Sequence, residues 1–178
     1  MISEVFIDMD GTLGERLYGR LLSDHIEYLY GKTKRKIRPV IRKHNISQTP
    51  LNKVKKLSAK YGTRIFPGAK EFLCKLSNDG YGLSIITYAS KATTYGFLEK
   101  NCIKDLFKTK ITSNDVKELK PDPEGLYLAL KRSGAKKESS VLIGDRLDLD
   151  GYMAKMVGMK FIPATRDFIK LYGTIKAL

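Results

Sequence analysis

Short apolar runs alternate with amphipathic, helix-length segments along most of this chain. The apolar residues of the longer segments recur with a helical period, and each short run ends at a polar residue. The predicted strands are 4–8, 82–87, 110–112, 139–143 and 160–163. The predicted helices are 67–78, 90–100, 123–132, 149–157 and 166–175. Strands that alternate with helices favour a parallel sheet covered on both faces, so the predicted fold class is α/β with a doubly wound parallel sheet.

One segment, residues 15–64, interrupts this alternation. Residues 16–30 and 50–61 carry apolar side chains at helical spacing, and the basic stretch 32–43 also has a helical pattern. We therefore predict a core domain of residues 1–14 and 65–178, and a small all-helical domain of residues 15–64. Three short helices are too small to be stable alone, so this insert needs a surface to pack on.

The positive charge of the chain is concentrated in this insert. Of the formal net charge of +14, residues 15–64 contribute +11, because 14 Lys and Arg residues face only three acidic ones. Such a surface favours partners with several negative charges, namely nucleotides, bisphosphates or a phosphorylated nucleic-acid end. The alternative is a solvated, lysine-rich surface without a ligand. The insert also holds His25 and His44, which have no metal-binding partner at helical spacing.

Other features of the sequence indicate in which cellular compartment the protein acts. No apolar run approaches the length of a membrane span, and Met1 and Ile2 lead directly into the first predicted strand, so we expect neither a membrane anchor nor a signal peptide. Cys74 and Cys102 lack metal-ligand spacing, and we expect both to be free, buried thiols. These features together predict a cytoplasmic protein.

Two aspartates follow the first apolar run. Side chains of a strand alternate between its faces, so Asp8 and Asp10 point the same way at the carboxyl end of the predicted strand. That end is where open α/β sheets bind their ligands. Two carboxylates at one point repel each other, and they persist only with a cation between them or a proton on one of them.

Three further motifs lie at the ends of predicted strands or just before a predicted helix. Thr87 ends an apolar run, Lys120 precedes the sequence Pro-Asp-Pro, and Asp145 follows a run that ends in glycine. Asp148 and Asp150 lie shortly beyond Asp145 and compete for a supporting role, while Asp148 is equally suited to cap a helix. Together with Asp8-Met9-Asp10-Gly11-Thr12, these motifs resemble the four motifs of the haloacid dehalogenase superfamily, in the same order.

This resemblance implies a Rossmann-like core and a helical cap inserted after the first motif. It also implies a phosphatase in which Asp8 is the nucleophile and forms an aspartyl-phosphate. Asp10 is the implied general acid and base, and Lys120 neutralises the nucleophile and the transferring phosphoryl group. Thr87 and the backbone of Tyr88 are the implied phosphate-binding groups.

A metal site is implied by the same motifs. Asp8, Asp145 and the backbone carbonyl of Asp10 offer only oxygen ligands, which favours Mg²⁺. Gly11, Thr12 and Asp150 are expected to support the site, the five-residue spacing from Asp145 favouring Asp150 over Asp148. The expected cofactor is therefore Mg²⁺, and the expected substrate is a small phosphate monoester.

Two other functions remain open at this point. A phosphotransferase or sugar-phosphate mutase of the same superfamily would use the same residues with a second acceptor in place of water. A nucleic-acid-binding protein would use the basic helices and carry a vestigial core. The intact set of Asp8, Asp10, Lys120 and Asp145 argues against the second alternative.

Overall fold

The computed structural model of the chain describes residues 1–16 and 63–178. The chain divides into two compact units, Met1–Glu15 with Ile65–Leu178, and Arg16–Arg64. The helices predicted for residues 16–30, 32–43 and 50–61 lie outside the described residues except at Arg16, which ends a strand, and both histidines also lie outside them. An all-helical insert therefore stays a prediction.

Five of the described strands form one parallel sheet, with the order β5-β4-β1-β6-β7. These strands are β1 (Glu4–Ile7), β4 (Gly82–Ile86), β5 (Thr109–Ile111), β6 (Ser140–Gly144) and β7 (Lys160–Pro163). The central strand β1 lies in register with both neighbours, since Ile7 is level with Ile85 and with Ile143. The sequence did not predict two short strands, β2 (Gly14–Arg16) and β3 (Thr63–Ile65), which pair with each other as a second sheet.

Helices cover both faces of the large sheet. Within the described ranges they are α1 (Ala69–Asn78), α2 (Lys91–Lys100), α3 (Glu124–Ser133), α4 (Tyr152–Val157) and α5 (Phe168–Lys176). Alternate residues of β1 serve the two faces: Val5 and Ile7 pack in the core under α1, α2 and α5, and Phe6 packs in the core under α3 and α4. This arrangement confirms the predicted α/β fold class with a Rossmann-like core. No helix in residues 1–16 or 63–178 combines the length and apolar character that a membrane crossing requires.

Most predicted elements agree with the structure to within two residues, but one does not. The helix predicted for residues 149–157 is two elements, a π-helical segment Leu147–Gly151 and the short helix α4 that continues from it. At the sheet edge, β1 ends at Ile7 and β4 ends at Ile86, so Asp8 and Thr87 each lie one residue beyond a strand. Both side chains therefore belong to loops held by the carboxyl ends of central strands.

The cysteine prediction was half right. Cys74 and Cys102 are free, as expected, but neither thiol is buried. Cys74 is partly exposed because the core-facing residues of α1 are its neighbours in sequence, Phe72, Leu73 and Leu76. Cys102 follows the end of α2 in a turn with φ of 53°, and its residue is exposed to solvent.

Candidate active site

The loop that leaves β1 places Asp8 at the carboxyl edge of the sheet. The backbone N–H of Asp8 donates to the carbonyl of Ile143 at 2.9 Å, so the residue is tied to the neighbouring strand β6. The residue is 6% exposed. The hydroxyl of Thr12 donates to Asp8 Oδ2 at 3.4 Å from the same loop. A carboxylate that is buried this deeply needs a cation or several donors.

Lys120 supplies that cation. Its ammonium group donates to Asp8 Oδ1 at 2.7 Å, to Asp150 Oδ1 at 2.7 Å and to the carbonyl of Ile86 at 2.8 Å. All three protons of the ammonium therefore have acceptors, and its orientation is fixed by three different elements of the chain. Lys120 is 8% exposed, which makes its pairing with two carboxylates a buried ion triad.

The structure distinguishes the two candidate acids of the fourth motif. Asp150 is 1% exposed, and its second oxygen accepts the backbone N–H of Arg146 at 3.2 Å. Asp148 lies inside the π-helical segment and accepts two hydrogen bonds from the guanidinium of Arg146. The helix-cap interpretation of Asp148 is therefore wrong, because a residue within a helical segment is not at its N-cap. Asp150 is the acid that faces Lys120.

Three carboxylates converge at this point. Oxygen atoms of Asp8, Asp145 and Asp150 lie within 4.8 Å of one another, and among residues 1–16 and 63–178 this is the one acidic group with the spacing of a metal site. Asp145 reaches the cluster because Gly11 has no side chain: a Cβ built there would lie 2.1 Å from Asp145 Oδ2. Gly11 also has φ of 90°, a conformation that side chains disfavour.

The charges of the cluster do not balance. Burial raises the pKa of Asp8 to about 7, with the ammonium of Lys120 opposing this shift and the charges of Asp150 and Asp10 adding to it. Burial also raises the pKa of Asp145, again with a contribution from Asp150. For Lys120, burial lowers the pKa, but the two bound carboxylates outweigh it, so the net direction is upward and the group keeps its charge. One ammonium among several carboxylates leaves the site with an excess of negative charge, which a proton or a metal cation relieves.

The excess of negative charge in this cluster bears on whether its residues could hold Mg²⁺. Two of the converging carboxylates, Asp8 and Asp145, are predicted ligands, and both offer hard oxygen atoms. The predicted contribution of Asp10 is a backbone carbonyl, and its side chain is not part of the carboxylate group. The donor set and its charge therefore suit a small divalent cation.

Asp10 lies in the tight turn that follows Asp8. This turn is closed by the N–H of Leu13, which donates to the carbonyl of Met9 at 2.9 Å, and by the N–H of Gly11, which donates to the carbonyl of Gly14 at 2.7 Å. Asp10 itself is half-buried. Its charge contributes to the raised pKa of Asp8, so the two carboxylates are electrostatic neighbours.

Thr87 lies just past β4, where its backbone N–H donates to the carbonyl of Ile111 at 2.9 Å. Its hydroxyl oxygen accepts the backbone N–H of Ala89 at 3.1 Å. The N–H of Ala89 is therefore engaged within the turn. Thr87 and Tyr88 line one small cavity together with Lys120.

The predicted site residues thus meet at one edge of the sheet. Asp8, Lys120, Asp145 and Asp150 form the charged cluster, Gly11 and Thr12 adjoin it, and Thr87 and Tyr88 follow the neighbouring strand. Sequence reasoning missed two contributors, the carbonyl of Ile86 and the backbone and side chain of Arg146. Backbone groups carry no sequence signal, and an arginine that pairs within its own turn leaves no periodic pattern.

The fold and this cluster define the class of protein, an α/β protein of Rossmann-like architecture with an acidic site at the carboxyl edge of its sheet. The chain belongs to the haloacid dehalogenase-like hydrolase family, which it matches over residues 10–164. The resemblance that the four motifs carry is thereby confirmed.

Curated relatives with phosphatase names are similar to this chain in sequence. The glyceraldehyde 3-phosphate phosphatase of Pyrococcus furiosus is 30% identical over 167 residues, which cover 88% of this chain and 65% of the relative. The pyrophosphatase PpaX of Bacillus velezensis is 39% identical over 75 residues, which cover 42% of this chain and 35% of the relative. The chain thus spans less than two thirds of each of these relatives.

Solved structures are similar over nearly the whole chain. A putative haloacid dehalogenase-like hydrolase from Bacteroides fragilis has a TM-score of 0.75 at 25% identity, with 93% of this chain and 89% of that chain covered. A putative beta-phosphoglucomutase from Thermotoga maritima has a TM-score of 0.70 at 20% identity, with 97% and 92% covered. The second likeness supports the fold alone.

Proposed function

We propose that this protein is a Mg²⁺-dependent phosphatase that hydrolyses a phosphate monoester through an aspartyl-phosphate. The observation that carries the proposal is the buried contact of Lys120 with Asp8, within a cluster that has more carboxylates than cations. Such a site has a carboxylate held in one orientation and a remaining demand for positive charge. The phosphatase names of the relatives support the same conclusion.

Asp8 is the proposed nucleophile. An oxygen of its carboxylate attacks phosphorus, the bond from phosphorus to the ester oxygen breaks, and the phosphoryl group is left on Asp8. Lys120 binds Oδ1 of the same carboxylate, so it orients the nucleophile and offsets the charge of the phosphoryl oxygens. The carbonyl of Ile86 and Asp150 hold the ammonium in place during this step.

Asp10 is the proposed acid and base. It donates a proton to the departing ester oxygen, and it then accepts a proton from the water that attacks the aspartyl-phosphate. This second displacement releases inorganic phosphate and restores the carboxylate of Asp8. The turn that carries Asp10 is closed by backbone hydrogen bonds, so its position relative to Asp8 is fixed by the fold.

Thr87 is the proposed donor to a phosphate oxygen. Its oxygen already accepts the N–H of Ala89, so the hydroxyl proton is directed away from that amide and is available to a ligand. The partly exposed Tyr88 follows it and supplies a backbone N–H in the proposal.

Mg²⁺ is the proposed cofactor, as is general in the family. Asp8 and Asp145 would hold it with the backbone carbonyl of Asp10, and Asp150 would support them from the buried side. When bound, the ion neutralises the carboxylates and the phosphate oxygens that approach them.

The test of this proposal is a phosphate-release assay with Mg²⁺ on a panel of phosphate monoesters and pyrophosphate, with glyceraldehyde 3-phosphate included. We expect Asp8→Asn to lower kcat by on the order of 10³-fold or more, because an amide cannot form the acyl-phosphate. The matched control is Asp105→Asn, which changes an exposed aspartate on the 3₁₀ turn Lys104–Leu106. Equal activity of wild type and Asp8→Asn would contradict the mechanism.

The assay also separates hydrolysis from the alternative reaction. A phosphotransferase or mutase would deliver the phosphoryl group to a second sugar phosphate and release little inorganic phosphate. A nucleic-acid-binding protein would bind a duplex equally well after Asp8→Asn and would release no phosphate at all.

The proposed substrate carries negative charge beyond one phosphate group, because residues 15–64 contribute +11 of the net +14. If that charge acts on the substrate, kcat/KM for a bisphosphate or nucleotide should fall as salt increases, since the Debye length shrinks from ~10 Å at 0.1 M to ~3 Å at 1 M. An aryl phosphate should respond less. If the two substrates responded to salt in the same way, the lysines of the insert would form a solvated surface without a role in substrate binding. Uncharged residues of the insert, such as Tyr18 and Tyr28, would then be the candidates for substrate selection.

A further inference from the structure

Asp150 is held by a segment with unusual backbone hydrogen bonding. The carbonyl of Arg146 accepts three backbone N–H groups, from Leu149 at 3.1 Å, from Asp150 at 2.7 Å and from Gly151 at 3.3 Å. The five residues Leu147–Gly151 form a π-helical turn, which is wider than an α-helical one. The peptide group of Arg146 therefore determines where the backbone of Asp150 lies.

The side chain of Asp150 returns to the same residue, Arg146. One of its oxygens accepts the N–H of Arg146, and the other accepts the ammonium of Lys120. There is no room for Asp150 to shift toward β6 without rearrangement, since its carboxyl group already occupies the space beside Gly144, where a Cβ would lie 2.4 Å from Asp150 Cγ. A change in the π-helical turn is therefore transmitted to Lys120 and from there to Asp8.

A second contact closes the same turn on its solvent side. The guanidinium of Arg146 donates from Nε to Asp148 Oδ1 at 2.9 Å and from Nη2 to Asp148 Oδ2 at 3.0 Å. This is a two-pronged contact between planar groups, the geometry in which arginine pairs best with a carboxylate. The contact joins Arg146, whose carbonyl accepts the three N–H groups, to Asp148 in the middle of the turn.

We propose that the Arg146–Asp148 pair is a positioning device for the active site: it keeps the π-helical turn open and so holds Asp150 against Lys120. This inference rests on the proposed phosphatase function for its effect on catalysis. Neither residue touches the phosphate in this account, and both act through Asp150. The side chains are 47% and 42% exposed, so the pair contributes little to global stability and its effect is local.

A different role for Arg146 makes a different prediction. If its charge bound the substrate directly, releasing it from Asp148 would leave that charge in place, and Asp148→Asn would not reduce kcat. If the pair acts as a unit, removing either member releases the turn from its π-helical geometry. Arg146→Gln and Asp148→Asn then have similar effects, and the double variant is no worse than either single one.

The experiment measures kcat, KM and amide hydrogen exchange for the wild type and these three variants. We expect each variant to lower kcat about three- to fivefold with KM nearly unchanged, which is the size of effect that one exposed ion pair supports. We also expect faster exchange in the segment that contains Leu149, Asp150 and Gly151, whose amides bond to Arg146. The control is Glu99→Gln, which breaks the exposed Lys104–Glu99 pair at 2.8 Å. This variant should change neither kcat nor the exchange of the amides at 149–151.

The outcomes separate this inference from the proposed function. A wild-type protein that releases no phosphate contradicts the proposed function, while the exchange data still report on the turn. An active wild type with unchanged kcat in the three variants overturns the positioning role. Additive losses in the double variant, or a raised KM in Arg146→Gln alone, would overturn it in favour of a direct contact with substrate.

Discussion

The central strand β1 has a buried carboxyl group at each end, and the two ends differ in what surrounds them. Glu4 begins the strand and Asp8 follows its last residue, and each is 6% exposed. Burial raises the pKa of both carboxyl groups. Depth alone therefore does not distinguish a functional acid from a structural one in this protein.

The partners of the two groups do distinguish them. Glu4 accepts a hydrogen bond from the fully buried hydroxyl of Ser84 at 2.6 Å, and the more distant charge of Lys108 adds a smaller effect. Asp8 contacts an ammonium and lies among further carboxylates, whereas the acidic group found in the described part of the chain does not include Glu4. At the amino end of the strand one carboxyl group has a neutral hydroxyl partner, whereas at the carboxyl end several carboxylates share one ammonium and keep an unmet demand for positive charge.

The largest expected difference between the two ends of β1 is in metal binding. A chelator should abolish phosphatase activity, and Mg²⁺ should raise the Tm, since an ion at 100 times its Kd stabilises the folded state by about 2.7 kcal/mol. Asp145→Asn should lose this rise in Tm because it removes a carboxylate of the cluster, and Glu4→Gln should retain it. The measurement is thermal unfolding with and without Mg²⁺. Full activity in chelator, or an unchanged Mg²⁺ response in Asp145→Asn, would contradict the assigned site.

A smaller effect is expected from the glycine that adjoins each carboxyl group. A Cβ at Gly11 would meet Asp145 Oδ2 at 2.1 Å, and one at Gly82 would meet Glu4 Oε2 at 1.8 Å. Gly11→Ala should lower kcat by on the order of 10²-fold, because it displaces Asp145, a proposed metal ligand. Gly82→Ala should instead cost about 1–3 kcal/mol of unfolding free energy and leave kcat per folded molecule nearly unchanged.

For the two glycine variants, kcat and the free energy of urea unfolding are measured on the same preparations. The comparison between the ends of β1 would be wrong if Gly82→Ala reduced kcat as strongly as Gly11→Ala in fully folded protein.

The amount of this structure that the sequence predicts follows from the kind of signal each part leaves. The sheet is predictable because its three central strands β4, β1 and β6 are buried on both faces and leave short apolar runs. Asp8, Lys120 and Asp145 are predictable because family motifs contain them. The π-helical turn at Leu147–Gly151 is not, since Leu149, Met153 and Val157 recur every four residues and so follow an ordinary helical pattern. The five-residue spacing from Asp145 already favours Asp150 over Asp148, but the contact of Asp150 with Lys120 joins residues 30 apart in sequence, and no local pattern encodes it.

The smallest expected effect concerns the pH dependence of stability at the amino end of β1. The pKa of Glu4 is raised above its ordinary value of 4.5 by burial, against the opposing hydrogen bond from Ser84. The stabilisation of the folded state that this protonated acid provides is complete below the unfolded-state pKa, and it is lost as pH rises through the folded-state pKa. The glutamine of Glu4→Gln does not ionise, so the variant escapes this loss.

The free energy of unfolding of the wild type relative to Glu4→Gln should therefore fall as pH rises from about 4 to about 8. The measurement is urea unfolding of both proteins across that range without Mg²⁺, so that the contribution of the Asp8 cluster is common to both and cancels. Glu99→Gln, at an exposed position, is the control whose difference from wild type should stay nearly constant. A constant difference for Glu4→Gln would mean that the pKa of Glu4 is the same in the folded and unfolded states. The ionised form would then be as well compensated in the fold as in water, and the contrast between the two ends of the strand would be wrong.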